Sequence, residues 1–141
     1  MLYSDLLKTP RSCPFCEFTH NRIIDHNDEV FMTYALAPYH KHHLLVVPYR
    51  HIDDFENLSQ TELVSINKLL HKGINLLKKL NYQDYTIVVR NGKKTGKTIE
   101  HLHYHIIPVD VIGDLNLVGE ERKVLTEAEI KEILHDFDVK Q

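Results

Sequence analysis

The chain has no tryptophan, only two cysteines, and just five glycines and five prolines among its 141 residues. Two cysteines cannot build a disulfide-stapled scaffold. The pair lies in Cys13-Pro14-Phe15-Cys16, where a bridge would close too short a loop to stabilise much. Without a secretion signal, such a spacing reads as a metal knuckle or a redox pair. No repeat, low-complexity tract or long linker is visible. No apolar run approaches the roughly 20 residues that cross a bilayer. The opening Met1-Leu2-Tyr3-Ser4-Asp5 lacks the charged and apolar regions of a signal peptide, so a cytoplasmic location is expected. Charge of one sign is also missing. A formal net charge of −3 speaks against a protein that coats nucleic-acid polymers, though a local basic pocket is compatible with it. With 43% apolar and 26% charged residues, the expectation is a single domain over residues 1–141 around one core.

Histidine is what the chain has in excess. There are 11, and they cluster: His40, His42 and His43 lie together, His51 follows, and His101, His103 and His105 alternate.

The elements around these clusters can be read from pattern. Val30-Phe31-Met32-Thr33-Tyr34 is β-branched and aromatic, a strand. Pro38 to His42 breaks it, and His43-Leu44-Leu45-Val46-Val47-Pro48 reads as a strand buried on both faces. Ser59-Gln60-Thr61-Glu62 is a capping box. Leu63, Ile66, Leu70, Leu77 and Leu80 then keep one helical face, predicting a long helix to about Leu80. Tyr85 to Arg90 is a strand, Asn91 to Lys97 a glycine-punctuated basic loop, and His101 to Pro108 another strand. Thr126-Glu127-Ala128-Glu129 starts a short helix through about Asp136. The first ten or so residues and the last few read as loose. The fold class expected is α+β, a mostly antiparallel sheet of about five strands with one long helix and a short C-terminal helix.

Alternation on a strand would put His101, His103 and His105 on one face and Leu102, Tyr104 and Ile106 on the other. Alternate residues are about 6.6 Å apart, so the three imidazoles could converge on one small ligand. Three readings fit. The face could simply be solvated. It could hold a three-histidine hydrolytic zinc, a proven use of His-x-His on a strand. Or one imidazole could attack an electrophile while the others hold its charge.

The segment His101-Leu102-His103-Tyr104-His105-Ile106-Ile107-Pro108 resembles the His-φ-His-φ-His-φ-φ signature of the histidine triad superfamily, φ being apolar. His43-Leu44-Leu45-Val46-Val47-Pro48-Tyr49-Arg50-His51-Ile52 resembles the family's upstream histidine-strand-proline-histidine segment. Asn91 through Thr98 is similar to its Asn…Gly-Gly-Gln-Ser loop. The blocks stand in family order over about residues 13–108, leaving 109–141 as a C-terminal extension. The resemblance implies a HIT-like fold and hydrolysis or transfer at the α-phosphate of a nucleotide conjugate, such as a phosphoramidate or dinucleoside polyphosphate. It makes His103 the nucleophile, forming a nucleotidyl-histidine, and has His105 hydrogen-bond the phosphoryl oxygens or leaving group. An imidazole of pKa about 6.5 is largely neutral and nucleophilic at neutral pH. The resemblance further assigns Asn91, Gly96 and Thr98 to phosphate contact, with Lys97 where relatives usually carry Gln, and makes His43 a support of that site. It also implies a structural zinc on Cys13, Cys16, His51 and His101, as in branches with a Cys-x-x-Cys knuckle. It implies a two-fold homodimer as well, the long helix supplying part of the interface. A zinc-dependent hydrolase using all three triad histidines, and a non-catalytic nucleotide-binding module, remain the alternatives.

Departures from the family pattern concern the substrate. Ala35 stands where many relatives have an acidic residue for the ribose hydroxyls. Ile23, Ile24, Phe31 and Leu36 are candidates for base contact or for the core. His40 and His42 are expected in a loop, and His20, His26, His71 and His135 on the surface. Lys93 and Lys94 are expected to be solvated.

Overall fold

The computed structural model describes residues 1–8, 13–18, 20–109 and 122–140. Five strands form one antiparallel sheet: β1 (Asp25–His26), β2 (Val30–Tyr34), β3 (Leu44–Pro48), β4 (Tyr85–Val89) and β5 (Tyr104–Pro108), in the order β1-β2-β3-β5-β4. The helices are α1 (Tyr3–Lys8), α2 (Gln60–Lys79) and α3 (Glu127–Asp136). The α+β architecture, the long helix and the short C-terminal helix are those expected. The fifth strand is the two-residue β1, too short to leave a pattern. None of the described helices is long and apolar enough to cross a membrane.

Side chains alternate across this sheet, so each strand feeds two layers. Val30, Met32, Tyr34, Leu44, Val46, Tyr104 and Ile106 join a core with Ile66, Leu69, Leu70 and Leu77 of α2 and Ile130, Ile133 and Leu134 of α3. Phe31, Ala35, Leu45 and Val47 point the other way, into a smaller cluster with Phe15. Helix α2 approaches the sheet so closely that a Cβ on Gly73 would stand 2.6 Å from Ile106 Cδ1, which accounts for a glycine inside a helix. Both capping boxes are present, on Ser59/Glu62 and Thr126/Glu129. Glu62 also accepts from Arg50 at 2.7 Å. That ion pair ties the start of α2 to the turn after β3, next to His51.

Two expectations are corrected. The N-terminal residues are not loose: Tyr3 N–H donates to the Arg122 carbonyl at 2.8 Å and Val124 N–H to the Met1 carbonyl at 2.8 Å, docking α1 beside the segment before α3. The last strand begins at Tyr104, not His101. The Leu102 N–H is taken by the Ile52 carbonyl at 2.6 Å, and that cross-link bends the chain before the strand ladder starts. His42 lies in the turn before β3, as expected of a loop residue, and is buried there. Its Nδ1 meets Tyr82 Oη at 2.8 Å and its Nε2 meets Asp136 Oδ2 at 2.7 Å, fastening the β2–β3 turn to α3. His20, His26, His71 and His135 are exposed.

Candidate active site and metal centre

The sheet face away from α2 carries a cleft of about 440 Å³ lined by His43, His103, His105, Arg90, Arg122, Gly96, Lys97 and Thr98, among others. Strand register explains the convergence. Leu45 pairs with His105, and Val88 pairs with His105 from the other side. His43 lies two residues before Leu45 and Arg90 two beyond Val88, so both share the face of His105.

Hydrogen bonds fix each tautomer. The Tyr39 backbone N–H donates to His43 Nδ1 at 3.2 Å. The His43 proton is therefore on Nε2, which lies 2.9 Å from His105 Nδ1 and donates to it. His105 must then carry its own proton on Nε2, leaving a donor for a ligand oxygen. His103 Nδ1–H donates to the His101 carbonyl at 2.8 Å, which leaves Nε2 with a free lone pair. The rings of His103 and His105 are 4.8 Å apart. One nitrogen lone pair and one N–H donor thus stand together on the cleft wall.

Burial keeps these imidazoles neutral. It lowers His43 to about 3, with further lowering from the positive charge of Arg122. It lowers His103 to about 4, opposed by the hydrogen bond to the His101 carbonyl. His105 is held well below the usual histidine value, chiefly by burial.

The loop residues divide. Gly96 lies at φ 88° as the C-cap of the turn Lys93–Thr95, a left-handed position that favours glycine. Thr98 Oγ1 meets Tyr3 Oη at 2.6 Å. Lys97 lines the cleft, but its ammonium donates to the Asp53 carbonyl at 2.8 Å and pairs with the Asp53 carboxylate. Asn91 is placed outside the cleft lining; its Oδ1 accepts the Phe55 N–H at 2.7 Å. Arg90 occupies the cleft-facing position instead. The period of two along β4 could have revealed it. Arg122, also missed, had no such signal, because it reaches the cleft through chain docking. Of the base-contact candidates, Leu36 lines the cleft with Ala35, Phe31 stacks on Phe18 at 5.3 Å, and Ile23 and Ile24 pack against the two cores. Lys93 pairs with Glu100 at 3.0 Å and its side chain is exposed.

His101 turns away from the other two triad histidines. Its Nε2 donates to the Pro48 carbonyl at 2.8 Å, so its Nδ1 is an acceptor. That atom lies 3.3 Å from Cys13 Sγ, 3.6 Å from Cys16 Sγ and 3.2 Å from His51 Nδ1. Cys16 Sγ is 3.2 Å from His51 Nδ1. Four ligand atoms lie within 4.8 Å of one another. The edges of a zinc tetrahedron with two nitrogens and two sulfurs are about 3.3–3.8 Å, so the donor set and its spacing fit that metal. The three triad histidines do not form a common ligand set among the described residues, which removes the three-histidine metal reading. Phe15, between the cysteines, packs on His101 and His103 at centroid distances of 5.5 and 5.1 Å, joining the knuckle to the cleft wall that carries His103.

A family model described as the HIT domain matches residues 18–111. The chain belongs to the HIT family. It is 33% identical over 126 residues to an uncharacterised HIT-like protein of Methanocaldococcus jannaschii, covering 86% of this chain and 98% of that one. It is 31% identical over 81 residues to the AP-4-A phosphorylase of Mycobacterium tuberculosis. That match takes in 56% of this chain but only 42% of the phosphorylase, so the chain spans less than half of that relative. Among solved structures it is similar to a zinc-bound histidine triad family protein from Mycobacterium smegmatis, at TM-score 0.67 and 18% identity, covering 90% of this chain and 94% of that one.

The buried histidines of this HIT chain make its stability pH-dependent. The folded chain excludes protons that the unfolded chain takes up below pH about 6.5. Stability is therefore full above that pH and is lost on acidification toward the folded values of about 3 and 4. Each such histidine adds a slope of about 1.4 kcal/mol per pH unit in that window. We expect the Tm to drop between pH 7 and pH 5, and to drop less in His43→Gln. Equal slopes for the two proteins would rule the account out.

Proposed function

We propose that this HIT protein is a nucleotide hydrolase or nucleotidyl transferase that cleaves at the α-phosphate of a nucleotide conjugate through a covalent intermediate on His103. The observation that carries the reading is the paired tautomers: His103 presents an Nε2 lone pair because its Nδ1–H is held by the His101 carbonyl, and His105 presents an N–H because His43 donates to its other nitrogen. His103 Nε2 attacks phosphorus, and the His105 N–H binds a phosphoryl oxygen as charge develops on it. His43 acts through His105 and positions it. Gly96 and Thr98 line the phosphate side, and water completes hydrolysis. A binding module has no need of a nucleophile with a fixed tautomer, and this disfavours the non-catalytic reading. The test is mass-spectrometric trapping. A nucleotidyl adduct should appear on the peptide containing His103 when diadenosine tetraphosphate or adenosine 5′-phosphoramidate is added, and turnover without any such adduct would refute the covalent step.

The same reading includes a structural zinc on Cys13, Cys16, His51 and His101, and a single cytoplasmic unit. It also includes a homodimer. Tyr85, Ile87 and Val89 of the edge strand β4 are all exposed. They lie on the sheet face of Ile106, the partner of Ile87, beside α2. An apolar edge strand of this kind invites pairing, and a second copy meeting it across a two-fold axis covers both edges at once. A monomer mass by light scattering would contradict it.

A further inference from the structure

Among the described residues the cleft is lined by one carboxylate, the exposed Glu17, and by four basic side chains, and the basic ones are unequal. Arg22 lines the cleft but pairs with Glu127 at 2.8 Å, and Lys97 is matched to Asp53. Arg90 and Arg122 also line the cleft, and neither is in ion-pair contact with a carboxylate among the described residues. Arg122 is nevertheless held in place. It donates to the Ala37 carbonyl at 2.9 Å, and its guanidinium carbon lies 4.1 Å from the Tyr39 ring centroid and 4.9 Å from that of Tyr3. Tyr3 in turn is fixed by Thr98. Stacking of this kind orients a guanidinium without neutralising it. Arg90 is placed by the register of β4. Arg90 depresses the protonation of His43, His103 and His105, and Arg122 that of His43 and His105, so both cations lie within electrostatic reach of the histidine side of the cleft.

We propose that Arg90 and Arg122 form a subsite for phosphate beyond the one attacked, so that the site selects nucleotide conjugates whose leaving group is itself a phosphate or polyphosphate over those whose leaving group is an amine. The proposal rests on the nucleotidyl-transfer reading of His103. In the first step His103 Nε2 forms a bond to the α-phosphorus. The bond from that phosphorus to the bridging oxygen breaks, and its electron pair leaves on the departing phosphate. The Nδ1 proton stays on His103, against the His101 carbonyl. A phosphate departs as an anion and requires no proton, only cations beside it, and two guanidiniums supply these bidentately. An amine leaving group must instead gain a proton as the phosphorus–nitrogen bond breaks. Guanidiniums do not give up a proton, so Arg90 and Arg122 offer such a leaving group nothing. In the second step water adds to phosphorus, the electron pair of the breaking bond returns to Nε2, and the water proton is released to solvent.

The experiment compares kcat/KM for diadenosine tetraphosphate and adenosine 5′-phosphoramidate in the zinc-loaded wild type, Arg122→Ala, Arg122→Lys and Arg90→Ala. The wild type should favour the tetraphosphate. Each alanine variant should lose about 10–100-fold on it and less than about 3-fold on the phosphoramidate, and Arg122→Lys should recover part of the loss. Wild-type preference for the phosphoramidate, or equal losses on both substrates in variants with unchanged Tm, would overturn the proposal. Should Arg122→Ala unfold, Arg90→Ala decides on the same ratio. Turnover of both substrates through an adduct on His103, with a ratio blind to both arginines, defeats this inference alone. Absence of any adduct defeats the covalent reading and this inference with it.

Discussion

His103→Ala will abolish nucleotide turnover, with kcat falling on the order of 10⁴-fold or more, while the protein remains folded. The size of the effect follows from the division of labour in the cleft. His103 is the triad residue whose Nε2 carries a lone pair on the cleft wall, because the His101 carbonyl occupies its Nδ1–H at 2.8 Å. His105 cannot substitute in the arrangement seen, since its Nδ1 is taken by His43 at 2.9 Å and its remaining nitrogen bears the proton. Truncation should not unfold the chain. His103 faces the cleft, its polar contact is to a backbone carbonyl, and Leu102, Tyr104 and Ile106 keep the core side of the segment intact. His103→Gly leaves a space in which added imidazole can present the same lone pair, so partial rescue by imidazole is expected. Steady-state kinetics with the two substrates, circular dichroism and Tm check the outcome. Retained turnover above a few per cent in His103→Ala would sink the assignment of the nucleophile.

The second large effect is on the metal centre. Replacing Cys13 and Cys16 by serine will remove about one bound zinc per chain and lower the Tm by tens of degrees, in line with the roughly 10 kcal/mol that closed zinc sites contribute to small folds. The four candidate ligands come from three distant stretches, with His51 and His101 separated by 50 positions and Cys16 and His51 by 35, so a metal held there would cross-link the knuckle, the turn after β3 and the approach to β5. The loss reaches the chemistry through one atom. The His101 carbonyl that fixes the His103 tautomer belongs to a ligand residue, so freeing His101 loosens the nucleophile. A fall of about 10–100-fold in kcat is expected below the lowered Tm, the range seen when groups that orient a site's ligands are removed. Zinc analysis of the purified variant and kinetics at low temperature are the measurements. Retention of stoichiometric zinc without the two cysteines would overturn this ligand set.

Much of this site was legible in the residues. The alternation His103-Tyr104-His105 needs only the period of a strand, and the pairing of Cys13 and Cys16 with His51 and His101 followed from the resemblance to the histidine triad family. The capping boxes at Ser59 and Thr126 marked the starts of α2 and α3 because they are local hydrogen-bond patterns. Other features depend on distant partners. The bend that takes His101 out of the strand arises from the Ile52 carbonyl and Pro48 carbonyl, 50 and 53 residues away. His42 has no local reason to be buried; Tyr82 and Asp136 supply it. Arg122 enters the cleft only because α1 docks beside it.

The sequence by itself therefore determined the α+β class from local patterns and the family from its motifs, and the nucleophile candidate and the metal-ligand set came with that resemblance. The resemblance already implied that the three histidines do not act as one face, by giving His101 to the metal; tertiary structure supplies the reason. Side-chain direction beyond a strand end is set by which backbone carbonyl the neighbouring chain presents. The same long-range contacts chose Arg90 and Arg122 over Asn91 and Lys97 as the cleft's available polar groups, because whether a charge is free depends on where its counter-charge folds to.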